Sequence, residues 1–367
     1  MKSRAFFLVL LVIGHLSNVH GWGFWAHQRI NRLAVFTLPP EMLVVYKAHL
    51  EYLTDHAVDP DKRRYAVDGE AARHYIDVDH WGEYPFPDLP RGWKEAVEKY
   101  SEDSLMAFGI LPYQLPWRLF QLKEAFEQKD LAAILKISAD LGHYVGDGHV
   151  PLHTTENYNG QMTGQRGIHG FWESRLPELF AGDYDFFVGR AYYIDNLGEE
   201  SWATVLSSHV LLDSVLGFER ELSRSFPADR KYGYESRNNV VVRTYSREYS
   251  DAYHKRLNGM VERRMRQSIR AVGAWWYTAW KMAGSPDLRE LVGQSVEDAP
   301  VRFEEHLKII DREAIDLGLG WLKKPLDLCC TPSPKMEARA FGMFHSPIHN
   351  KKTATPWWKW LAGKLIR

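Results

Sequence analysis

Leu141-Gly-His-Tyr-Val-Gly-Asp-Gly-His-Val-Pro-Leu-His153 combines a helical period with metal-ligand chemistry. His143 and Asp147 stand four residues apart, which on a helix places both side chains on one face, one turn apart. Upstream, Leu131, Ile134, Leu135, Leu141 and Val145 recur at helical spacing and mark the buried stripe of the same helix. Pro151 ends it, because proline has no amide hydrogen to donate and its ring clashes with the preceding turn. His153 lies just past that stop, able to turn back toward the same space. Further on, His169-Gly-Phe-Trp-Glu173 repeats the His-x3-acid step. Imidazole and carboxylate on paired helical turns can hold divalent zinc with coordination positions left open. One such pair alone reads more simply as a surface pair. Two of them flanking a lone histidine are a far stronger signal. Asp140, on the same helix but outside the motif, is expected to tolerate substitution.

The chain has 367 residues, 45% hydrophobic, with a formal net charge of −1. That composition is globular, and the length suits one large domain or two ordinary ones. Near-neutral charge argues against a broad electrostatic nucleic-acid footprint. It leaves nucleotide chemistry open, because bound metal ions supply positive charge locally. Lys2 and Arg4 precede an apolar run from Ala5 to Leu16, which reads as an export signal and is too short to span a bilayer. Gly21, with Val19 two positions upstream, fits the last residue before cleavage, so the expected mature chain starts at Trp22. A retained membrane anchor is the alternative. The only cysteines, Cys329 and Cys330, are adjacent, so no disulfide framework is implied.

Trp22-Gly-Phe-Trp-Ala-His27 leads into Ile30, Leu33 and Ala34 at helical spacing. Cleavage before Trp22 would free an amino group that, with its own carbonyl, can chelate a metal. Leu38-Pro-Pro-Glu41 breaks this helix, and a second, with Met42, Tyr46, Leu50 and Leu53, runs to about Thr54. Asp55-His-Ala-Val-Asp59-Pro-Asp61-Lys-Arg-Arg64 reads as a carboxylate-rich polar turn, a solvated loop being the plain alternative. Arg73 to His80 alternates polar and apolar residues, which allows a strand. Residues 85–92 form a proline-rich loop, and helices are expected around 93–108 and 117–128. Past Glu173 come a loop of Tyr and Phe, a long helix from about Ser201 to Phe226, and a basic polar loop around 227–246. Another long helix follows, with Met265, Ile269, Val272 and Trp276 as its core face and Gly284-Ser-Pro as its end. From about 285 the composition shifts. A charged helix is expected near 296–314, and Pro356 to Arg367 suits a membrane surface or docking on the core.

Taken as an ordered set, these residues resemble the superfamily of zinc-dependent bacterial phospholipases C and fungal and plant single-strand-specific nucleases. The resemblance spans about Trp22 to Gly284. It rests on Trp22 at the mature start, His27, an Asp ahead of His-aromatic-x-Asp, then His-x3-Asp-x5-His and His-x3-acid. It implies an all-α, multi-helix bundle holding three zinc ions and hydrolysing phosphate esters. Residues 1–21 would be the signal peptide, 22–284 the phosphodiesterase domain and 285–367 an extension of unassigned role. One zinc would take an Asp of the acidic turn with His74, His143 and Asp147; a second, His153, His169 and Glu173. The third would take the amino nitrogen and carbonyl oxygen of Trp22 with His27 and a bridging Asp147. Asp61 has the better local pattern for the turn ligand, with Arg64 three residues on. Asp59 has the more nuclease-like distance to His74. Asp61 is preferred. His56, His80 and His149 match no ligand position.

The two branches are mixed here. The step from Trp22 to His27 is nuclease-like, as is His74-Tyr75-Ile76-Asp77, where the nucleases place a base-stacking aromatic and a base-bonding Asp. Glu173 in place of Asp is phospholipase-like, and the disulfides of the fungal enzymes are missing. Phosphodiesters are anionic and repel a nucleophile until cations neutralise them, which is the physical case for clustered zinc. Asp147, Asp61 and Arg64 are the expected catalytic residues, Arg64 adding positive charge toward the phosphate oxygens. The leading expectation is an exported zinc phosphodiesterase acting on single-stranded nucleic acid, with a phospholipase C as alternative. A non-catalytic zinc- or lipid-binding protein is the lesser one. No stable protein partner is expected.

Overall fold

Helix follows helix through residues 22–237 and 240–296, the part of the chain that the computed structural model describes, all of it within one compact unit. The first half runs through α1 (Phe24–Ala34), α2 (Pro40–Ala48), α3 (Leu50–Asp55), α4 (Asp59–Arg63), α5 (Trp93–Tyr100), α6 (Glu102–Phe108), α7 (Leu111–Gln128) and α8 (Leu131–Asp147). The second half adds short α9 (Ile168–Gly170) and α10 (Leu176–Phe180), then α11 (Leu197–His209) and α12 (Leu212–Ser225). An antiparallel hairpin, β1 (Tyr232–Arg237) and β2 (Val240–Tyr245), precedes α13 (Arg247–Arg256) and α14 (Met260–Met282). The architecture is, among the described residues, an all-α bundle with one hairpin. Among the described residues no helix is long and apolar enough to cross a membrane.

Helix α8 is the axis of the bundle, packed by α1, α7 and α14. Lys129 in the left-handed region ends α7, and the Asp130 side chain caps α8 by accepting the Ala133 amide at 3.0 Å. A helix apolar on most sides must be buried on most sides, and Ile134, Leu135 and Leu141 are wholly so. Each stabilises the fold by roughly 1.5–3 kcal/mol. Gly142 sets the crossing with α1. A Cβ there would lie 2.2 Å from Asn31 Oδ1, and the Asn31 amide donates to the Ala139 carbonyl at 3.0 Å. His27 and His143 lie one helical turn from these two partners, so the same close approach stacks their rings at 3.8 Å.

Several sequence expectations are corrected. Helix α8 stops at Asp147 rather than beside Pro151, because the residue before a proline is pushed to extended geometry and Val150 adopts it. Pro151 instead opens a short 3-10 turn, Pro151–Thr154, that carries His153. Arg73 to His80 is no strand. Two 3-10 turns, Ala71–His74 and Val78–Trp81, flank an extended Tyr75. The alternation survives as burial of Ala72, His74, Ile76 and Val78, but the amides go to unrelated segments. Ile76 donates to the His153 carbonyl at 2.9 Å and Asp77 to that of Phe108 at 2.8 Å. The acidic turn is helical, as α4. The expected loop at 227–246 contains the hairpin, whose β-branched and aromatic residues were masked by interleaved charges. Arg243 lies 3.7 Å over the Tyr232 ring. Each of the long helices expected around it is two, α11 and α12 before, α13 and α14 after, the latter pair broken at left-handed Gly259.

Residues 285–296 continue onto the bundle, with Leu288 and Leu291 buried in its core. The export signal, both cysteines, Pro356 to Arg367 and nearly all of the charged helix near 296–314 lie outside the described residues.

Candidate metal centre

Eight side chains from seven elements meet at the end of α8. His143 and Asp147 come from α8 itself, His27 from α1, Asp61 from α4 and His74 from the turn Ala71–His74. His153 comes from the turn Pro151–Thr154, and His169 and Glu173 from α9 and the wide π-turn Phe171–Arg175 that follows it. All eight are buried. They form three groups, each compact enough to hold a metal ion: His27, Asp61 and His143; His74, His143 and Asp147; and His153, His169 and Glu173. Asp147 joins them. Its Oδ1 lies 3.3 Å from His27 Nε2 and 3.8 Å from His153 Nδ1, its Oδ2 3.0 Å from His74 Nδ1 and 3.2 Å from His143 Nε2. Glu173 Oε2 is 2.8 Å from His169 Nε2 and 3.6 Å from His153 Nε2.

Two of the rings are oriented from behind. His143 Nδ1 lies 2.8 Å from the Ala57 carbonyl and His153 Nδ1 2.5 Å from that of His74. A proton on each Nδ1 donates to its carbonyl and leaves the Nε2 lone pair facing the cluster, as in ligating histidines. His74 Nδ1 lies 3.0 Å from both Asp147 Oδ2 and His143 Nε2, but many of the cluster's other atoms are orphaned. Both ring nitrogens of His27, both oxygens of Asp61, Asp147 Oδ1, His153 Nε2, His169 Nε2 and Glu173 Oε2 have no hydrogen-bond partner. Such a group costs roughly 1–3 kcal/mol each when left unsatisfied. Borderline-soft cations that accept nitrogen and oxygen donors would satisfy the carboxylate oxygens and one nitrogen of each imidazole, and zinc fits that donor set.

Electrostatics point the same way. Burial holds His27 down at about 4, helped by neighbouring His143, and burial also depresses His153 and His169. These imidazoles are neutral at pH 7 and carry free lone pairs. Burial alone would depress His143 too, but the carboxylates of Asp147 and Asp61 outweigh it and raise its pKa to about 9, so a cation at its Nε2 would have to displace a proton. Burial, with the charges of Asp147 and Asp61, pushes Glu173 far above the usual carboxylate range. Carboxylates crowded this closely resist ionising together unless a cation sits among them.

The remaining predicted residues fall around this core. Trp22 is buried against Trp172, and its indole donates to the Gly146 carbonyl at 2.8 Å. A Cβ on Gly146 would touch both Trp22 and His27, so this tryptophan adjoins the His27 group. Arg64 lies 3.6 Å from Asp61 Oδ1 and its charge is felt by His153, His169 and Glu173. Tyr75 is half-buried, its hydroxyl donating to the Ala107 carbonyl at 3.1 Å. Asp77, on the same extended segment, has its pKa pushed up to about 7 by burial and by the charges of Asp79 and Glu156. Asp59 stands apart from the cluster, bonded to His56 at 2.5 Å and Lys62 at 2.8 Å. His80 stacks on Phe108 and His149 bonds the Val145 carbonyl.

Sequence reasoning missed the buried network beside the cluster. Arg63, not Arg64, forks onto Asp140 at 3.0 and 2.9 Å, lies 3.1 Å from Glu70 and donates to Tyr144 at 2.9 Å. Asp140 is therefore a structural partner, not a tolerant position. The available signal was Asp140, Tyr144 and Asp147 forming a polar stripe on one face of an otherwise apolar helix.

No family model matches the chain, and no curated protein matches it significantly. Among solved structures, the alpha toxin from Clostridium absonum is similar, with a TM-score of 0.40 and 12% identity. The match covers 75% of this chain and 66% of the toxin chain, so the chain spans just under two thirds of that relative. A likeness so slight identifies no activity.

Proposed function

We propose that the chain is an exported, zinc-dependent phosphodiesterase, with residues 22–284 as its catalytic domain and single-stranded nucleic acid as its substrate. The observation that carries the reading is the buried set of eight nitrogen and oxygen donors that share Asp147, most with an orphaned atom. His74, His143, Asp147 and Asp61 would hold one ion, and His153, His169 and Glu173 a second. His27 and Asp147, with the main-chain atoms of a freed Trp22, would hold a third. Bound zinc supplies positive charge to a phosphodiester and acidity to water at neutral pH. Asp147 and Asp61 provide the negative charge that keeps several cations close together. Arg64, 3.6 Å from Asp61, would bind phosphate oxygens and oppose the charge that builds on them. Tyr75 and Asp77, on the segment that carries His74, would stack on and hydrogen-bond a base.

One observation favours a second substrate class. The hairpin exposes Tyr234, Val240 and Val241, and Tyr245 at its base stacks on Phe171, two residues from Glu173, at 3.9 Å. A hairpin that exposes one tyrosine and two valines among basic residues, tied to the metal-bearing turn, suits a lipid surface, as a phospholipase C requires. Zinc content, together with hydrolysis of single-stranded DNA, RNA and phosphatidylcholine measured side by side, tests both. A protein without bound zinc, or with zinc and no diesterase activity, would overturn the proposal.

A further inference from the structure

Helices α11 and α14, with His149 and Tyr192, line an open cleft of about 480 Å³, within the range of small-molecule sites. Its buried cation is Arg264, 3% exposed. The guanidinium is met by neutral oxygens: Nε donates to the His149 carbonyl and Nη1 to Gln267 Oε1, both at 2.8 Å, Nη1 also to Ser207 Oγ at 3.3 Å, and Nη2 to Ser208 Oγ. Burial pulls its pKa down to about 9, and no neighbouring carboxylate lifts it back. A desolvated charge without a counter-charge is costly, and a ligand anion removes that cost. Arg270, exposed over the Tyr192 ring, brings a second guanidinium to the same lining. The carboxylate among the lining residues is Glu200, already accepting the Tyr192 hydroxyl at 2.5 Å. The lining thus carries a surplus of positive charge.

We propose that this cleft binds a small phosphorylated molecule, its phosphate held by Arg270 and the Nη2 edge of Arg264 with Gln267 as a neutral donor. Gln267 gives its oxygen to Arg264, which leaves its amide hydrogens for the ligand. The exposed Arg270 fork and the one Nη2 hydrogen of Arg264 that the protein leaves unused would meet the phosphate oxygens, and the buried charge of Arg264 favours a dianion over a monoanionic carboxylate. The site stands apart from the metal centre in its residues, and the proposal does not rest on zinc or diesterase activity. Arg264 also has a plain structural role: it and Ser208, which donates to the Gly148 carbonyl at 2.5 Å, fix the chain directly after Asp147. The test therefore starts from exposed Arg270, which reaches the Arg190 carbonyl only at 3.5 Å, and from Gln267, which bonds Arg264 within its own helix.

Inorganic phosphate and glycerol 3-phosphate are titrated by calorimetry into the full chain and into its Arg270→Leu, Gln267→Leu and Arg264→Leu variants, with melting temperatures as the check on folding. The expected result is one saturable site that Arg270→Leu weakens about tenfold or more, the worth of a charge-assisted hydrogen bond. Tighter binding of glycerol 3-phosphate identifies an organic phosphate as the occupant, and equal binding identifies free phosphate. Arg264→Leu, where folded, should abolish the site. Folded Arg270→Leu and Gln267→Leu variants with unchanged phosphate affinity and stoichiometry would overturn the proposal, as would the absence of saturable binding to the wild type.

Discussion

Asp147→Asn removes one negative charge from a wholly buried oxygen pair that faces four imidazoles and changes the side-chain volume little. The four ring nitrogens lie 3.0, 3.2, 3.3 and 3.8 Å from the carboxylate oxygens. Two unit charges about 4 Å apart at an effective dielectric of about 20 attract by about 4 kcal/mol. A cation held by this carboxylate loses at least that attraction, which corresponds to about three decades of affinity. His143 also loses the first of the two carboxylates that raise its pKa, so its imidazole reverts toward neutrality. Zinc per chain, measured by elemental analysis at fixed free zinc, should fall by at least one ion. Hydrolysis of a chromogenic phosphodiester should fall about a thousandfold, in line with the lost interaction. Asp140→Asn is no control for this, because it breaks the fork with Arg63. Glu127→Gln, on an exposed pair with Lys123, is one. Full zinc occupancy and a near-normal rate in Asp147→Asn would refute the reasoning.

Three further outcomes follow from the same geometry. One extra residue placed before Trp22 blocks its amino group, so that form should bind less zinc and turn over more slowly than a chain beginning at Trp22; equal values in the two would dismiss the role of the terminus. Tyr75→Ala should weaken hydrolysis of single-stranded nucleic acid by roughly 1–3 kcal/mol of lost stacking while sparing a small chromogenic diester. Equal loss on both substrates would move the assignment toward a phospholipase. Asp77 is pushed from 3.8 to about 7 in the folded chain. The folded state thus prefers the protonated form, and stability is full below about pH 4 and declines as pH rises through 7. Asp77→Asn should melt higher than wild type at pH 8 and equally at pH 4. The gain is about 2 kcal/mol, half of what the full displacement implies, since solvent screens a half-buried group. Identical melting at both pH values would show that Asp77 carries no such burden.

Local spacing accounts for much of what could be read without coordinates. A helix over 131–147 follows from Leu131, Ile134, Leu135, Leu141 and Val145, and the shared face of His143 and Asp147 follows from the pitch of the backbone. The same holds for His169 and Glu173, although their turn is wider than an α-helix. The strand expected at Arg73 to His80 shows the limit of that logic. Alternation records which side chains are buried, not which partner takes the amides, and here the partners are His153 and Phe108 instead of a neighbouring strand. The hairpin was hidden for a related reason, since its pattern of aromatic and β-branched residues is interrupted by charges that pair only across the fold, as Arg175 does with Glu235.

The sequence by itself determined the helix that organises the bundle and the residue types gathered at its end, because these depend on periodicity and side-chain chemistry within a few turns. The all-α fold class was what the resemblance of the ordered motif implied. Tertiary structure alone decided which of two nearby aspartates faces the cluster. Asp59 and Asp61 share one short helix, and only packing against α8 turns Asp61 inward while His56 and Lys62 hold Asp59 outside. It also decided that Arg63 binds Asp140 and Glu70, and that the unassigned His149 lines a cleft with Arg264. Those pairings join residues far apart in the chain, and their geometry is set by how helices cross, as at Gly142 and Asn31, which no local spacing encodes.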